Sequence, residues 1–103
     1  MLYSVVMTTF ENEEEALDVI NAVIEKKLAA CVQTFDIKSH YFWQNDVCHD
    51  NELLVLFKTQ KKHFNEIKML IEKMHSYETP EIIEVPISNG SEAYLEWIKK
   101  STL

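Results

Sequence analysis

Two cysteines, four histidines and a scatter of carboxylates are the groups in this chain that could do chemistry. Cys31 sits in Leu28-Ala29-Ala30-Cys31-Val32, an apolar setting that favours a protonated, inert thiol over a thiolate nucleophile. Cys48 lies just past Asn45-Asp46, a turn signal, and reads as the more exposed thiol. The C-x-x-C spacing of a zinc knuckle is absent, as are a nucleophile elbow, an H-E-x-x-H helix and a phosphate-binding loop. His75 is followed by Tyr77, Glu78 and Glu81, and one imidazole with two carboxylates can ligate a divalent ion. The competing reading of that stretch is a capping and packing turn. Any cation site is expected to use His75 with Glu78 or Glu81 before Cys31, because a thiol must lose its proton to ligate and apolar surroundings oppose that. Imidazole with carboxylate suits copper(II) and zinc, whereas copper(I) favours sulfur and hence Cys48.

His40 and His49 fall diagonally across a hairpin if Asn45-Asp46 is its turn, within reach of a shared metal; solvated histidines are the commoner outcome. His63 reads as a surface residue. Lys58 follows a wholly apolar run and is a candidate for pairing with an anion or carboxylate, the plain alternative being a strand-end lysine in solvent.

These groups are carried by elements that the pattern marks clearly. Tyr3 to Thr9 reads as a largely buried strand. Asn12, with Glu15 three residues on, forms a capping box for a helix whose apolar stripe is Leu17, Ile20, Ile24 and Leu28, with Ala16 and Val23 beside it. Ala30 to Trp43 looks extended, and Leu53 to Phe57 has the continuous apolar character of a central strand buried on both faces. Gln60 to Met74 returns to helical period. Thr79-Pro80 enforces an extended backbone, Ile82 to Ile87 forms a last strand that Pro86 confines to an edge or a bulge, and Gly90-Ser91 opens a final helix. Strand, helix, strand, strand, helix, strand is the α+β, ferredoxin-like split βαβ plan, with one antiparallel sheet and the first and third strands central.

Each arm of the hairpin is about 14 residues, or roughly 45 Å at 3.3 Å per residue, against a radius of gyration near 13 Å for a domain of this size. The tip should protrude, and it carries Tyr41, Phe42 and Trp43. Exposed aromatics beside an open strand edge are an aggregation hazard unless covered, so identical subunits are expected to join edges and bury each other's tips in a closed ring; the plain alternative is a strand that breaks near Asp36 and folds back onto its own domain.

With 103 residues the chain is expected to be one domain, residues 1–103. Its formal charge of -7 argues against a nucleic-acid or anionic-membrane partner. No apolar run approaches the ~18 residues of a membrane span, and the N-terminus lacks the basic region of a signal peptide, so a cytoplasmic protein is expected.

Several blocks together resemble one known family. Val5 to Thr9, Lys27 to Val32, Ser39 to Trp43, Glu52 to Leu54 with Phe57 to Thr59, His75 to Ile83, and Tyr94 to Trp97 are similar, in order and spacing, to the CutA divalent-cation tolerance proteins. The resemblance implies a ferredoxin-like subunit in a tight homotrimer of P-II-like architecture. It also implies a role in tolerance of copper and other divalent cations, weakly bound, without an established catalytic reaction. The chain departs from the family's usual pattern at Asn45, where Gly is usual, and at Cys48, where an acidic residue is common. Thr8 and Met74 stand where some members carry a cysteine and a second histidine of a copper-ligating set, of which His75 remains. Two functions stay open: a trimeric, non-enzymatic metal-tolerance protein, or a P-II-like signalling or anchoring module whose inter-subunit cleft, with Lys58, Tyr41, Trp43 and Cys31, takes a small ligand or a protein segment.

Overall fold

In the computed structural model, which describes residues 1–103, the elements run β1 (Tyr3–Phe10), α1 (Glu13–Glu25), β2 (Cys31–Trp43), β3 (Asp46–Gln60), α2 (Phe64–Met74), β4 (Ile83–Pro86) and α3 (Glu92–Ser101), with one 3-10 turn at Lys61–His63 ahead of α2. The sheet is antiparallel with order β2-β3-β1-β4. The strand order is the expected one: β1 and β3 are central, and Pro86 lies on an edge strand whose only partner is β1.

Val6 and Phe10 of β1, Val55 and Phe57 of β3, Ala16, Val19 and Val23 of α1, and Ile67 and Ile71 of α2 form one buried cluster, so α1 and α2 cover the same face of the sheet. The buried stripe of α1 is not the one read from the sequence: Leu17 and Ile24 are 44% and 42% exposed. They lie one position round from Ala16 and Val23, and a rotation of 100° per residue turns them to the flank. The other sheet face differs more. Leu54 and Leu56 are only half-buried, and Phe35, Ile83 and Val85 are exposed, because no helix covers them. The expectation that β3 is buried on both faces is therefore met on one face within a single chain. At the base of that open face α3 packs against β3, with Lys58 Nζ 5.6 Å from the Tyr94 ring centroid.

The hairpin makes the molecule long, 45 Å against 26 and 21 Å, as the arm arithmetic requires. Its turn is Gln44-Asn45 rather than Asn45-Asp46: both residues have positive φ, 51° and 66°, and Trp43 pairs with Asp46. The two registers differ by a two-residue slip that leaves every side chain on the same face, so hydrophobic patterning cannot separate them. The base of the hairpin decides. Thr59 Oγ1 donates to the Leu28 carbonyl, Ala30 N–H donates to the Lys58 carbonyl, and Val32 faces Phe57. Gln44 is thereby placed in a left-handed conformation that its side chain does not favour. In this register His40 lies directly opposite His49, not diagonal to it, and Cys48 faces Tyr41 rather than Trp43. His63, expected at the surface, is 6% exposed, because the 3-10 turn points it inward to the Leu103 carbonyl at 2.7 Å.

Two outcomes follow from this register. Replacing Gln44-Asn45 by Asn-Gly, the pair best suited to a turn with two positive φ angles, should raise unfolding free energy by about 1 kcal/mol in a denaturant titration. Cys31 pairs with Lys58 and Cys48 with Tyr41, about ten residues or roughly 33 Å apart along β2, beyond the ~7 Å limit for a disulfide. Thiol titration of the unfolded, unreduced chain should therefore count both cysteines as free.

Candidate functional site: a recess beside the hairpin

The segment after α2 crosses the end of β1 and closes a recess of about 590 Å³ against the hairpin, lined by Tyr41, Trp43, Glu52, Tyr77, Glu78 and Glu81 among others. His75 places that segment. Its side chain is fully buried and stacks on Phe10 at 4.5 Å between ring centroids. Nδ1 accepts the Tyr77 N–H at 3.0 Å, so the ring proton is on Nε2, which donates to the Thr9 carbonyl at 2.6 Å. Glu15 reinforces the anchor. Its backbone N–H donates to the Asn12 side chain at 2.9 Å, as the capping reading requires. Its carboxylate, however, accepts the Ser76 N–H at 2.6 Å and the Ser76 hydroxyl at 3.0 Å, leaving the capping box half-made.

Tyr77, held this way, donates its hydroxyl to Glu52 at 2.8 Å. Burial first, and this hydrogen bond second, push its ionisation well above the ordinary 10.0. On the arm, Tyr41 donates to Asp50, and that bond raises its pKa to about 12. Glu78 and Glu81 are exposed and have no ion-pair partner.

The residues picked out from the sequence are thus divided. Glu78, Glu81, Tyr41 and Trp43 line one recess. His75 stands behind it, with both ring nitrogens already engaged. Cys48 is half-buried opposite Tyr41. Cys31 and Lys58 face each other at the far end of the hairpin, and Lys58 is turned to Tyr94. No three His, Cys, Asp or Glu side chains converge on one point, so the donors present do not form a resident metal centre. Carboxylates of the recess suit a loosely held, exchangeable cation instead. Sequence reasoning gave Glu15 a capping role and not its bonds to Ser76, and it missed Asp50 and Glu52, which become visible only once the hairpin register is known.

The family model described as CutA1 divalent ion tolerance protein matches residues 4–101. The divalent-cation tolerance protein CutA of Thermus thermophilus is 39% identical over 99 residues, covering 95% of this chain and 96% of that one. The crystal structure of CutA1 from Oryza sativa superposes with a TM-score of 0.94 at 36% identity, over 100% of this chain and 95% of that one. A structure described as the periplasmic divalent cation tolerance protein CutA from Archaeoglobus fulgidus gives a TM-score of 0.93 at 35% identity, covering 96% and 97%.

Burial of Tyr77, together with its bond to Glu52, fixes a pH dependence. A phenol whose folded pKa is raised contributes stability that is fully present below the unfolded value, here 10.0, and lost as pH rises through the folded value. Titrating phenolate absorbance in the folded protein should show two tyrosines ionising well above pH 10, Tyr41 and Tyr77, and only one of them in Tyr77→Phe.

Proposed function

The chain belongs to the CutA1 divalent ion tolerance family, and on that premise we propose that it acts as a homotrimer that takes up divalent cations, copper(II) among them, at the carboxylate-lined recess. The observation that carries the reading is the pairing of that recess with an uncovered arm. Glu78 and Glu81 stand beside Tyr41 and Trp43; Trp43, 46% exposed, continues into the helix-free sheet face, and Phe42, 78% exposed, projects from the opposite face of the arm. An apolar face of this kind, bordered by the open edge of β2, is completed by copies of the same chain. Assembly there would bring a second subunit against the recess. His75 serves as the positioning residue for the carboxylates.

Supporting a binding protein over an enzyme, all four histidines are committed away from the cysteines. His40 meets His49, His63 meets Leu103, and His75 meets Thr9 and Tyr77, so no imidazole base serves Cys31 or Cys48. No helix is long and apolar enough to cross a membrane. Cytoplasmic residence belongs to this proposal and is supported by two cysteines kept apart as free thiols; cell fractionation tests it. A second reading, the P-II-like ligand-binding module, draws on the recess volume, which lies in the range that holds small organic molecules.

Light scattering at micromolar protein should give three times the chain mass, and Trp43→Asp should shift it toward monomer. In calorimetry of metal-free protein with copper(II), the Glu78→Gln/Glu81→Gln variant should lose about tenfold in affinity at the recess, whereas Cys31→Ser should leave it unchanged. A monomeric mass, or a recess indifferent to both glutamates, overturns the respective half of the proposal. Heat evolved with small metabolites and none with cations would favour the second reading.

A further inference from the structure

At the margin of the recess, whose lining includes His40, the arm holds a second arrangement that the proposed function does not use. His40 and His49 are directly opposed across β2 and β3, both exposed, with Nδ1 facing Nδ1 at 2.6 Å and the rings crossing edge-on at 4.8 Å between centroids. We propose that this pair is a bidentate imidazole site for a borderline divalent cation such as copper(II), zinc or nickel. The proposal does not depend on the recess carboxylates, and it goes beyond the family role.

The chemistry follows from proton accounting. Two neutral imidazoles that meet Nδ1 to Nδ1 hold one proton between them, so one ring carries its proton on Nδ1 and the other on Nε2. Transfer of that bridging proton to the free Nε2 of the same ring, through solvent, leaves both rings neutral and both Nδ1 lone pairs free. A cation then forms two nitrogen–metal bonds of about 2.0–2.1 Å. That requires the nitrogens to part to about 3 Å, a few tenths of an ångström that exposed side chains on a projecting arm can supply. The strand pairing holds the two donors at one level, which gives the chelate its advantage over separate histidines.

The surroundings set the selectivity. The same face of the arm offers Lys38 and Asn51 on one side of the pair and Phe42 and Val47 on the other. Asp50 lies on the opposite face and is bonded to Tyr41. No carboxylate on this face adjoins the imidazoles, so oxygen-seeking magnesium and calcium find no ligands there, and borderline cations do. The recess is oxygen-rich: His40 borders it from the arm, and His75 offers it no free imidazole nitrogen.

The test is a zinc titration of the metal-free protein, followed by long-range proton–nitrogen NMR of the imidazoles. Nδ1 of both His40 and His49 should shift together at the first equivalent per chain, while the His75 signals stay in place. His40→Gln and His49→Gln should each weaken zinc binding by about tenfold to a hundredfold, and the double variant no further than either single one. Magnesium should shift neither ring. Light scattering and circular dichroism of each variant check that assembly and fold persist; where they do not, the NMR titration of the unaltered protein decides alone. Zinc that leaves both Nδ1 signals unmoved, or that shifts only one of them, overturns the proposal. Loss of the recess response in the Glu78→Gln/Glu81→Gln variant, with the tip response intact, separates the two sites.

Discussion

Everything beyond about Asp36 on the arm is placed by bonds made at its base. Thr59 reaching the Leu28 carbonyl, Ala30 meeting Lys58, and Val32 set opposite Phe57 fix the offset between β2 and β3, and the ladder carries that offset out to Trp43 and Asp46. The tip adapts to the base: Gln44 and Asn45 take positive φ because the offset leaves two residues for the turn. The facing of His40 with His49, of Tyr41 with Cys48, and the reach from Tyr41 to Asp50 are all consequences of this one choice. A different offset of the same parity would keep the core intact and dissolve each of these arrangements.

A second device of the same kind places the other wall of the recess. After α2 the backbone needs a fixed exit, and the buried imidazole of His75 provides it by joining β1 through Thr9 and the next turn through Tyr77. Phe10 packs against one face of the ring, and Glu15 holds Ser76 from the start of α1. Three elements far apart in sequence thus converge on one short connection. Glu78 and Glu81 are free to face solvent because His75 and Glu15 have taken over the structural work of the segment.

Much of the fold was legible from periodicity and punctuation. The two central strands were identified by uniform apolar character, the edge strand by Pro86, and the start of α1 by Asn12. The hairpin's length foretold the elongated shape. What was not legible depends on contacts between distant residues. Asn45-Asp46 carries as good a turn signal as the pair actually used, and only the base of the hairpin distinguishes them. His75 followed by acids reads equally well as ligand or as packing residue until the Thr9 carbonyl is seen against it. Glu52 and Asp50 look like ordinary strand-end charges until the tyrosines that bond them are placed. His63 is drawn inward by Leu103, forty positions away, which no local pattern encodes.

The position of β1 bears on how the chain reaches this state. The hairpin is local in sequence and can form on the microsecond scale, with its edges and aromatic tip already assembled. β1 must instead be inserted between β3 and β4, with Tyr3 meeting Gln60 and Ser4 meeting Pro86, 57 and 82 positions away along the chain. Closing those loops is the slow step, since non-local pairing must overcome chain entropy before it gains contacts. The nascent molecule therefore passes through a stage in which a finished, sticky arm waits on an unfinished sheet. During that interval the charged residues flanking the tip, Asp46 and Asp50 on one strand and Lys38 on the other, act as the guard against premature association.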